Sequence, residues 1–176
     1  MIYALPTDTC YWLACSLHDE AGYHAIYQMK QRDYSKPLSI IVQSYDDIER
    51  YGIINDDQQD FLRDYPAPFT VLVRSVFHLP SFLDHGRYHT IAIRVAEACI
   101  LEDTFYRDLT FPLFLTSANI SGEKECHTKK EVQKAFKNIP LDIRWEVSQK
   151  QASSDIFSFI GDGTEITYLR NNHYFI

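Results

Sequence analysis

The chain has little of what builds linkers, since its 176 residues include only 6 glycines and 7 prolines and no tract rich in glycine or serine. This composition excludes a long flexible linker and a low-complexity segment. Long apolar runs are missing too. The first run, Met1 to Leu5, ends at Pro6 and has no basic residues before it, so neither a membrane span nor a secretory leader is expected. We therefore expect a single cytoplasmic domain over residues 1–176.

Cysteine is scarce and carries no recognisable pattern. The four cysteines form neither a CxxC pair nor a metal-ligand spacing: Cys10, Cys15, Cys99 and Cys126. Reduced thiols are favoured over disulfides or a zinc site. His85 and His89 are spaced like a metal pair on a helix, but Asp84-His85-Gly86 indicates a turn and no third ligand is evident, which disfavours a metal.

Positive charge is in the minority, with 17 Lys and Arg against 24 Asp and Glu and a formal net charge of −7. Such a chain repels phosphate backbones and acidic membrane surfaces, so tight nucleic-acid binding and membrane binding are not expected. Three enzyme motifs are also missing: G-x-S-x-G, G-x-x-x-x-G-K, and G-x-G-x-x-G after a strand. Their absence excludes the common hydrolase, P-loop and dinucleotide-binding classes.

What is present, 45% hydrophobic and 14% aromatic residues, is typical of one compact core. Apolar patterns predict strands at 2–5, 37–42, 69–74, 90–95 and 112–116. Helix patterns and caps predict helices over 19–30, from Ser44, after Asn55, over 99–109 and from Thr128. The last third predicts a hairpin, 155–160 with 165–170, in which the Asp162-Gly163 pair supplies the positive φ. This alternation predicts an α/β or α+β fold with a twisted mixed sheet flanked by helices.

Two predicted strands run into polar loops. The first strand leads into Pro6-Thr7-Asp8-Thr9, and the strand ending at Thr116 leads into Ser117-Ala118-Asn119-Ile120-Ser121-Gly122. Open α/β sheets place ligands beyond the carboxyl ends of their strands, so the two loops are candidates for one shared cleft that binds an anion. Ordinary capped turns are the alternative for each loop.

Basic residues cluster where the first helix ends, at Lys30, Arg32 and Lys36. Cations there favour the helix dipole, but Lys30 extends the apolar stripe, so its ammonium must reach solvent or meet an anion in a cleft. Arg94 lies inside a predicted central strand, where it either binds a substrate carboxylate or forms an internal salt bridge. Arg170 ends the last predicted strand and is otherwise a solvated edge charge.

Six segments in this order resemble the YrdC-like threonylcarbamoyl-AMP synthases and span most of the chain. They are Pro6-Thr-Asp-Thr-Cys-Tyr11, Lys30-Gln-Arg32, Lys36-Pro-Leu38, Pro66-Ala-Pro-Phe-Thr70, Thr90-Ile-Ala-Ile-Arg-Val95 and Ser117-Ala-Asn-Ile-Ser-Gly122. The resemblance implies a large, positively charged open cavity. It also implies synthesis of L-threonylcarbamoyladenylate and pyrophosphate from L-threonine, bicarbonate or CO2, and ATP. The product would feed t6A formation at adenosine 37 of tRNA through a downstream transferase complex.

The resemblance also implies roles for ten residues. Lys30, Arg32, Ser117 and Asn119 would be catalytic. The residues expected on ATP are Arg32, Lys36, Thr90, Ser117 and Arg170. Threonine would be held by Thr9, Arg94 and Ser154, and Mg²⁺ would accompany the triphosphate, with no dedicated protein site for the metal.

The chain departs from the family pattern at several positions. Trp12 stands where relatives usually have glycine, Ala67 and Ala96 stand where a glycine and a proline are usual, and Glu125 replaces a common serine. The helix that precedes the first strand in relatives is also missing. These departures leave two alternatives open: a noncatalytic nucleotide- or RNA-binding relative with a remodelled pocket, and carbamoyl-adenylate chemistry of the hydrogenase-maturation type, against which the short isolated domain argues.

Overall fold

The computed structural model of the chain describes residues 1–76, 78–101, 104, 107–144 and 152–173. Within them lie the strands β1 (Tyr3–Pro6), β2 (Tyr11–Ser16), β3 (Ser39–Val42), β4 (Phe69–Arg74), β5 (Thr90–Val95), β6 (Leu113–Ser117), β7 (Asp142–Ile143), β8 (Asp155–Phe159) and β9 (Ile166–Arg170). The helices are α1 (Glu20–Lys30), α2 (Asp56–Asp64), α3 (Ala96–Cys99) and α4 (Lys129–Ala135), with a 3₁₀ helix over Tyr45–Arg50.

All nine of these strands join one sheet in the order β7-β1-β2-β6-β3-β5-β4-β8-β9. Three neighbouring pairs are parallel, β1 with β7, β3 with β5 and β4 with β8, and the others are antiparallel. The predicted mixed α/β fold is therefore confirmed. The sheet brings the ends of β1 and β6, which are far apart in sequence, onto the two sides of β2.

Three local predictions differ from the structure, and strands β2 and β7 were not predicted. The segment after Ser44 forms a 3₁₀ helix. The helix predicted over 99–109 is wrong at 100, 101 and 107–109, which are not helical, and α3 overlaps it only at Cys99. Residues 102, 103, 105 and 106 of that prediction lie outside the described residues. In the hairpin turn, the positive φ of 61° falls on Gly161 and not on the Asp162-Gly163 pair.

Side-chain caps fix where the longer helices begin. Asp19 accepts a hydrogen bond from the Gly22 N–H at the start of α1, and Asn55 and Thr128 form capping boxes before α2 and α4. A cap of this kind satisfies N–H groups that have no partner inside the helix. Helix α1 ends at Gln31, whose left-handed φ of 51° turns the chain sharply after Lys30.

The two faces of the sheet are covered differently. Helices α1, α2 and α4 pack on one face and bury the main core, to which Ile26, Leu62 and Val132 contribute. A smaller apolar cluster, including Leu5, Trp12 and Leu115, lies on the other face beside α3. That second face is only partly covered, and the cavities described below lie on it.

Candidate functional site

The loop after β6 is folded around the side chain of Asn119. The Ser117 hydroxyl donates to Asn119 Oδ1 over 2.7 Å, and Asn119 Nδ2 donates to the main-chain oxygen of Glu123 over 2.9 Å. The Ala118 N–H donates to the main-chain oxygen of Tyr11 over 2.8 Å, which ties the loop to β2. Asn119 therefore organises the loop, and Ser117 stays at its open edge.

Lys30 fastens this loop to α1. The buried ammonium donates to the main-chain oxygen of Ser117, to the main-chain oxygen of Asn119 over 2.8 Å, and to Asn119 Oδ1 over 2.9 Å. Burial, with a smaller contribution from the Arg32 charge, lowers the pKa of Lys30 from 10.5 to about 7. All three N–H bonds of the ammonium are directed at loop oxygens. The side chain thus meets neutral protein oxygens in the interior, and neither of the two predicted alternatives, solvent or an anion in a cleft, is what the structure shows.

Arg32 is held by the chain that follows it. Its Nε donates to the main-chain oxygen of Lys36 and its Nη2 to that of Pro37, both over 3.1 Å. The left-handed turn at Gln31 separates Arg32 from Lys30, so one basic side chain enters the interior while the other lines an open cavity. The Lys36 side chain is exposed.

The first cavity has a volume of about 280 Å³ and lies on the partly covered face of the sheet. Its polar and aromatic lining includes Thr9, Trp12, Arg32, Ser117, Glu125 and Arg170. These side chains come from both polar loops, from the end of α1 and from the last strand. The two loops identified in the sequence therefore share one cleft.

Arg170 lines the first cavity, and its guanidinium is held by Ser154, the residue before β8. Its Nε donates to the main-chain oxygen of Ser154 over 2.8 Å and its Nη2 to Ser154 Oγ over 3.2 Å. Ser154 is fully buried, and its hydroxyl also bonds the Thr70 hydroxyl over 2.9 Å. Burial lowers the pKa of Arg170, and the nearby Glu125 carboxylate opposes that effect. Ser154 thus positions the guanidinium without itself lining the cavity.

Glu125 places a negative charge in the same cavity. The Ser153 hydroxyl donates to Glu125 Oε1 over 2.6 Å, which fixes the direction of the carboxylate. In the described part of the chain, it is the one acidic side chain that lines this cavity. An anionic ligand bound there would be attracted by Arg32 and Arg170 and repelled by Glu125.

Arg94 is buried, with only 1% of its surface exposed. Its Nη2 donates to Asp8 Oδ1 over 2.9 Å, and its guanidinium lies over the Trp12 ring at 4.8 Å from the centroid. The Nε and Nη1 atoms have no hydrogen-bond partner among the described residues. Burial raises the pKa of Asp8, and the Arg94 charge opposes that increase. A buried guanidinium with two unpartnered donors is suited to binding an oxyanion.

Arg94 lines a second cavity, of about 270 Å³, together with Asp8, Tyr45, Tyr65, Ala67 and Cys99. It does not line the first cavity, and Trp12 lies between them, because its ring contacts Arg94 and also lines the first cavity. Trp12, which stands where relatives usually have glycine, therefore does not close the first cavity. Its indole lies between Arg94 and the side chains that line that cavity.

The structure places the ten predicted site residues in three groups. Four line the first cavity: Thr9, Arg32, Ser117 and Arg170. Four others contact those residues or line the second cavity: Lys30, Asn119, Ser154 and Arg94. Lys36 and Thr90 are exposed and line neither cavity. Their predicted roles on ATP remain predictions.

Sequence reasoning missed several polar residues of the first cavity. Ser39, Thr70 and Ser153 line it, and none of them was singled out as a site residue. For Thr70 a signal was available, because it alternates with Phe69 and Val71, which face the main core. Ser39 and Ser153 carry no such signal.

The described residues offer little for a resident metal. No group of three His, Cys, Asp or Glu side chains among them is placed to hold an ion, and the four cysteines are buried and unpaired by disulfides. The donors at the first cavity are mainly cations and hydroxyls, which suit phosphate oxygens better than a metal.

Over the described part of the chain, no helix has the length and apolar character needed to cross a membrane.

A profile of the Sua5, YciO and YrdC proteins, described as "Telomere recombination", matches residues 1–171. The threonylcarbamoyl-AMP synthase of Photorhabdus laumondii is 27% identical over 161 residues, which cover 88% of this chain and 83% of that protein. The putative threonylcarbamoyl-AMP synthase of Methanocaldococcus jannaschii is 32% identical over 130 residues, 73% of this chain. The match covers only 59% of that archaeal protein.

Two solved structures have a similar fold. P. abyssi Sua5 complexed with L-threonine superposes with a TM-score of 0.77 at 24% identity, covering 96% of this chain and 49% of that one. E. coli YciO superposes with a TM-score of 0.75 at 18% identity, covering 96% of this chain and 82% of that one. The chain therefore spans about half the length of Sua5, and at these identities the likeness concerns the fold.

Proposed function

The chain belongs to the Sua5, YciO and YrdC family, and on that basis we propose that it synthesises L-threonylcarbamoyladenylate and pyrophosphate from L-threonine, bicarbonate or CO2, and ATP. The observation that carries the proposal is the convergence of Thr9, Arg32, Ser117 and Arg170 on the first cavity. Relatives named threonylcarbamoyl-AMP synthase and a Sua5 that binds L-threonine support it. The product would pass to a downstream tRNA threonylcarbamoyl transferase complex in the cytoplasm.

The chemistry requires two anions to be held together. The amine of threonine attacks CO2 and loses a proton, which gives a carbamate. A carbamate oxygen then attacks the α-phosphorus of ATP, the bond from that phosphorus to the bridging oxygen breaks, and pyrophosphate leaves. No protein nucleophile is needed. The enzyme has to position the reactants and offset their negative charge.

The residues of the first cavity suit these tasks. Arg32 and Arg170 would bind phosphate oxygens, and each is held in place by main-chain oxygens that use part of its guanidinium. Ser117 lines the cavity at the edge of its loop, and because its hydroxyl donates to Asn119 Oδ1, it would offer the nucleotide an acceptor, for example for a ribose hydroxyl. Lys30 would act through that loop, since its ammonium is already bonded to the Ser117–Asn119 segment. We therefore regard Lys30 as a positioning residue.

Thr9 would bind the amino acid in the first cavity, where the proposed phosphate-binding side chains also lie. The contact of Arg94 with the threonine carboxylate stays a prediction: its two unpartnered donors suit a carboxylate, but they are buried and Trp12 separates them from the first cavity. Thr9 lines the first cavity beside Trp12. Ser154 would contribute only through Arg170, because its buried hydroxyl is used by Arg170 and Thr70.

Magnesium would enter with the nucleotide. Among the described residues, no group of three His, Cys, Asp or Glu side chains is placed to bind the metal. In nucleotide complexes Mg²⁺ is usually coordinated by the phosphate oxygens of ATP. When bound, the ion would offset negative charge on the triphosphate. Arg32 and Arg170 would supply the remaining positive charge from the protein.

Labelled bicarbonate tests the proposal. With Mg-ATP and L-threonine, label should enter an adenylate of the mass of threonylcarbamoyl-AMP, and omission of threonine should abolish incorporation. Arg32→Ala should reduce the rate at least 100-fold, whereas the exposed Arg50→Ala should not. Nucleotide binding without any threonine-dependent adenylate would favour the noncatalytic alternative and contradict the proposal.

A further inference from the structure

Trp12 occupies a central place between the two cavities. It is the second residue of β2, where the strand register sets it opposite Leu5 on one side and Ser117 on the other. The side chain is 8% exposed and lines the first cavity. Its remaining surface packs in the apolar cluster that contains Leu5 and Leu115. The indole is therefore a fixed wall and not a surface side chain that can move aside.

The indole contacts Thr9, to which the proposed function assigns the amino acid, and also contacts Arg94, which lines the second cavity. Its Nε1 donates to Thr9 Oγ1 over 3.2 Å, and its ring face lies under the Arg94 guanidinium at 4.8 Å from the centroid. Asp8 holds Arg94 from another direction over 2.9 Å. A single rigid side chain thus sets the positions of both groups relative to each other.

The hydrogen-bond chain through Thr9 has a fixed direction. The indole N–H is only a donor, so Thr9 Oγ1 must accept from it. The Thr7 hydroxyl donates to the main-chain oxygen of Cys10 over 2.7 Å, so the Thr9 proton goes either to Thr7 Oγ1 over 3.2 Å or to Cys10 Sγ over 3.9 Å. One lone pair of Thr9 Oγ1 is left for the cavity. A substrate group that meets it has to be a donor, such as an ammonium or a hydroxyl.

We propose that Trp12 determines which amino acid the enzyme accepts, by limiting the size of the side chain and by making Thr9 a hydrogen-bond acceptor. This inference rests on the proposed function. The ring forms a flat, packed boundary next to Thr9, so a small side chain that carries a hydroxyl fits and a long apolar one does not. The indole N–H contributes to the selection of a hydroxyl-bearing side chain. Because it donates to Thr9 Oγ1, Thr9 donates its own proton elsewhere in the protein and meets the ligand as an acceptor.

The two halves are separable by two substitutions. Trp12→Ala removes both the wall and the N–H, whereas Trp12→Phe keeps an aromatic ring and removes only the N–H. Leu5→Ala is the matched control, because Leu5 lies opposite Trp12 in the same apolar cluster but lines neither cavity. All three variants lose core packing, so a change in selectivity beyond that of the control comes from the cavity.

The assay is a competition between equimolar L-threonine and L-leucine, with the two carbamoyl-adenylates separated by mass. A product ratio is independent of how much of each preparation is folded. We expect Trp12→Ala to lower the threonine-to-leucine ratio at least 10-fold relative to the wild type, with Leu5→Ala unchanged. Trp12→Phe should lower the ratio less, by about 3-fold, because it raises the KM for threonine about 3-fold and leaves the KM values for leucine and ATP unchanged.

An unchanged ratio in Trp12→Ala would overturn the size limit, and so would an equal fall of the ratio in Leu5→Ala. An unchanged threonine KM in Trp12→Phe would overturn the role of the indole N–H. If the wild type forms no adenylate with either amino acid, the proposed function itself fails and this inference fails with it. If adenylates form but the variants do not alter selection, only the role of Trp12 is rejected.

Discussion

Replacing Lys30 by methionine tests the role of the buried ammonium that is bonded to the Ser117–Asn119 loop. Methionine has a similar volume and helix propensity, so the substitution removes little besides the ammonium and its three hydrogen bonds to the Ser117–Asn119 loop. The buried loop oxygens then lose their donors, which costs about 1–3 kcal/mol for each unsatisfied group, offset by no longer burying a charge. We expect a destabilised loop and a large loss of adenylate formation.

The contribution of Lys30 to the free energy of unfolding depends on pH. Burial lowers the pKa of Lys30 from 10.5 in the unfolded chain to about 7 in the native state. Between these values the unfolded chain holds a proton that the native protein has released, so the free energy of unfolding rises with pH by up to about 1.4 kcal/mol per pH unit. This contribution is complete above pH 10.5 and is lost as the pH falls through 7. Between pH 7 and 9.5 the gain is about 3 kcal/mol.

Urea unfolding of both proteins across this pH range measures the effect. The stability of the wild type minus that of Lys30→Met should increase by about 3 kcal/mol from pH 7 to 9.5, because the variant lacks the titrating group. Lys134→Met, at an exposed position in the last turn of α4, should follow the wild type throughout. Parallel profiles for the wild type and Lys30→Met would refute the reasoning.

Three further substitutions test separate features. Glu125→Gln removes the negative charge from the first cavity, so the KM for ATP should fall about 2- to 5-fold, and the fall should shrink at high salt, as initial rates will show. Thr128→Ala removes the capping box of α4 and should cost about 1 kcal/mol in urea unfolding. Gly52→Ala would bring a Cβ to 2.1 Å from Val73 Cγ2, so calorimetry should show a loss of about 1–3 kcal/mol and a lower Tm.

Most of the sheet was predictable from the sequence, but β2 and the two-residue β7 were not, and for β2 the reason is its burial. Residues 11–15 are buried on both faces, so the strand has no alternation of polar and apolar residues. The helix starts at Asn55 and Thr128 were predictable because a side-chain cap depends on only four consecutive residues. The short α3 has no such cap.

The candidate site was predictable only as a set of loops and charges. The stripe on α1 correctly placed Lys30 toward the interior, but its oxygen partners lie 87 and 89 residues further along the chain, where no local pattern can indicate them. The pairing of Arg94 with Asp8 spans 86 residues in the same way. The contact of the Trp12 ring with Arg94, on the side away from the first cavity, depends on the orientation of one indole, which residue spacing does not encode.

The hairpin of β8 and β9 couples a remote turn to the proposed phosphate site. Asn55 and Gln58 at the start of α2 donate to main-chain oxygens of Asp162 and Gly163, and the other end of the hairpin carries Arg170. Because β9 is the last strand of the described sheet, it has a hydrogen-bonded neighbour on one side only. Nucleotide held by Arg170 should therefore slow amide exchange and proteolytic cleavage along β9, and loosening the distant turn should shorten the residence time of the nucleotide.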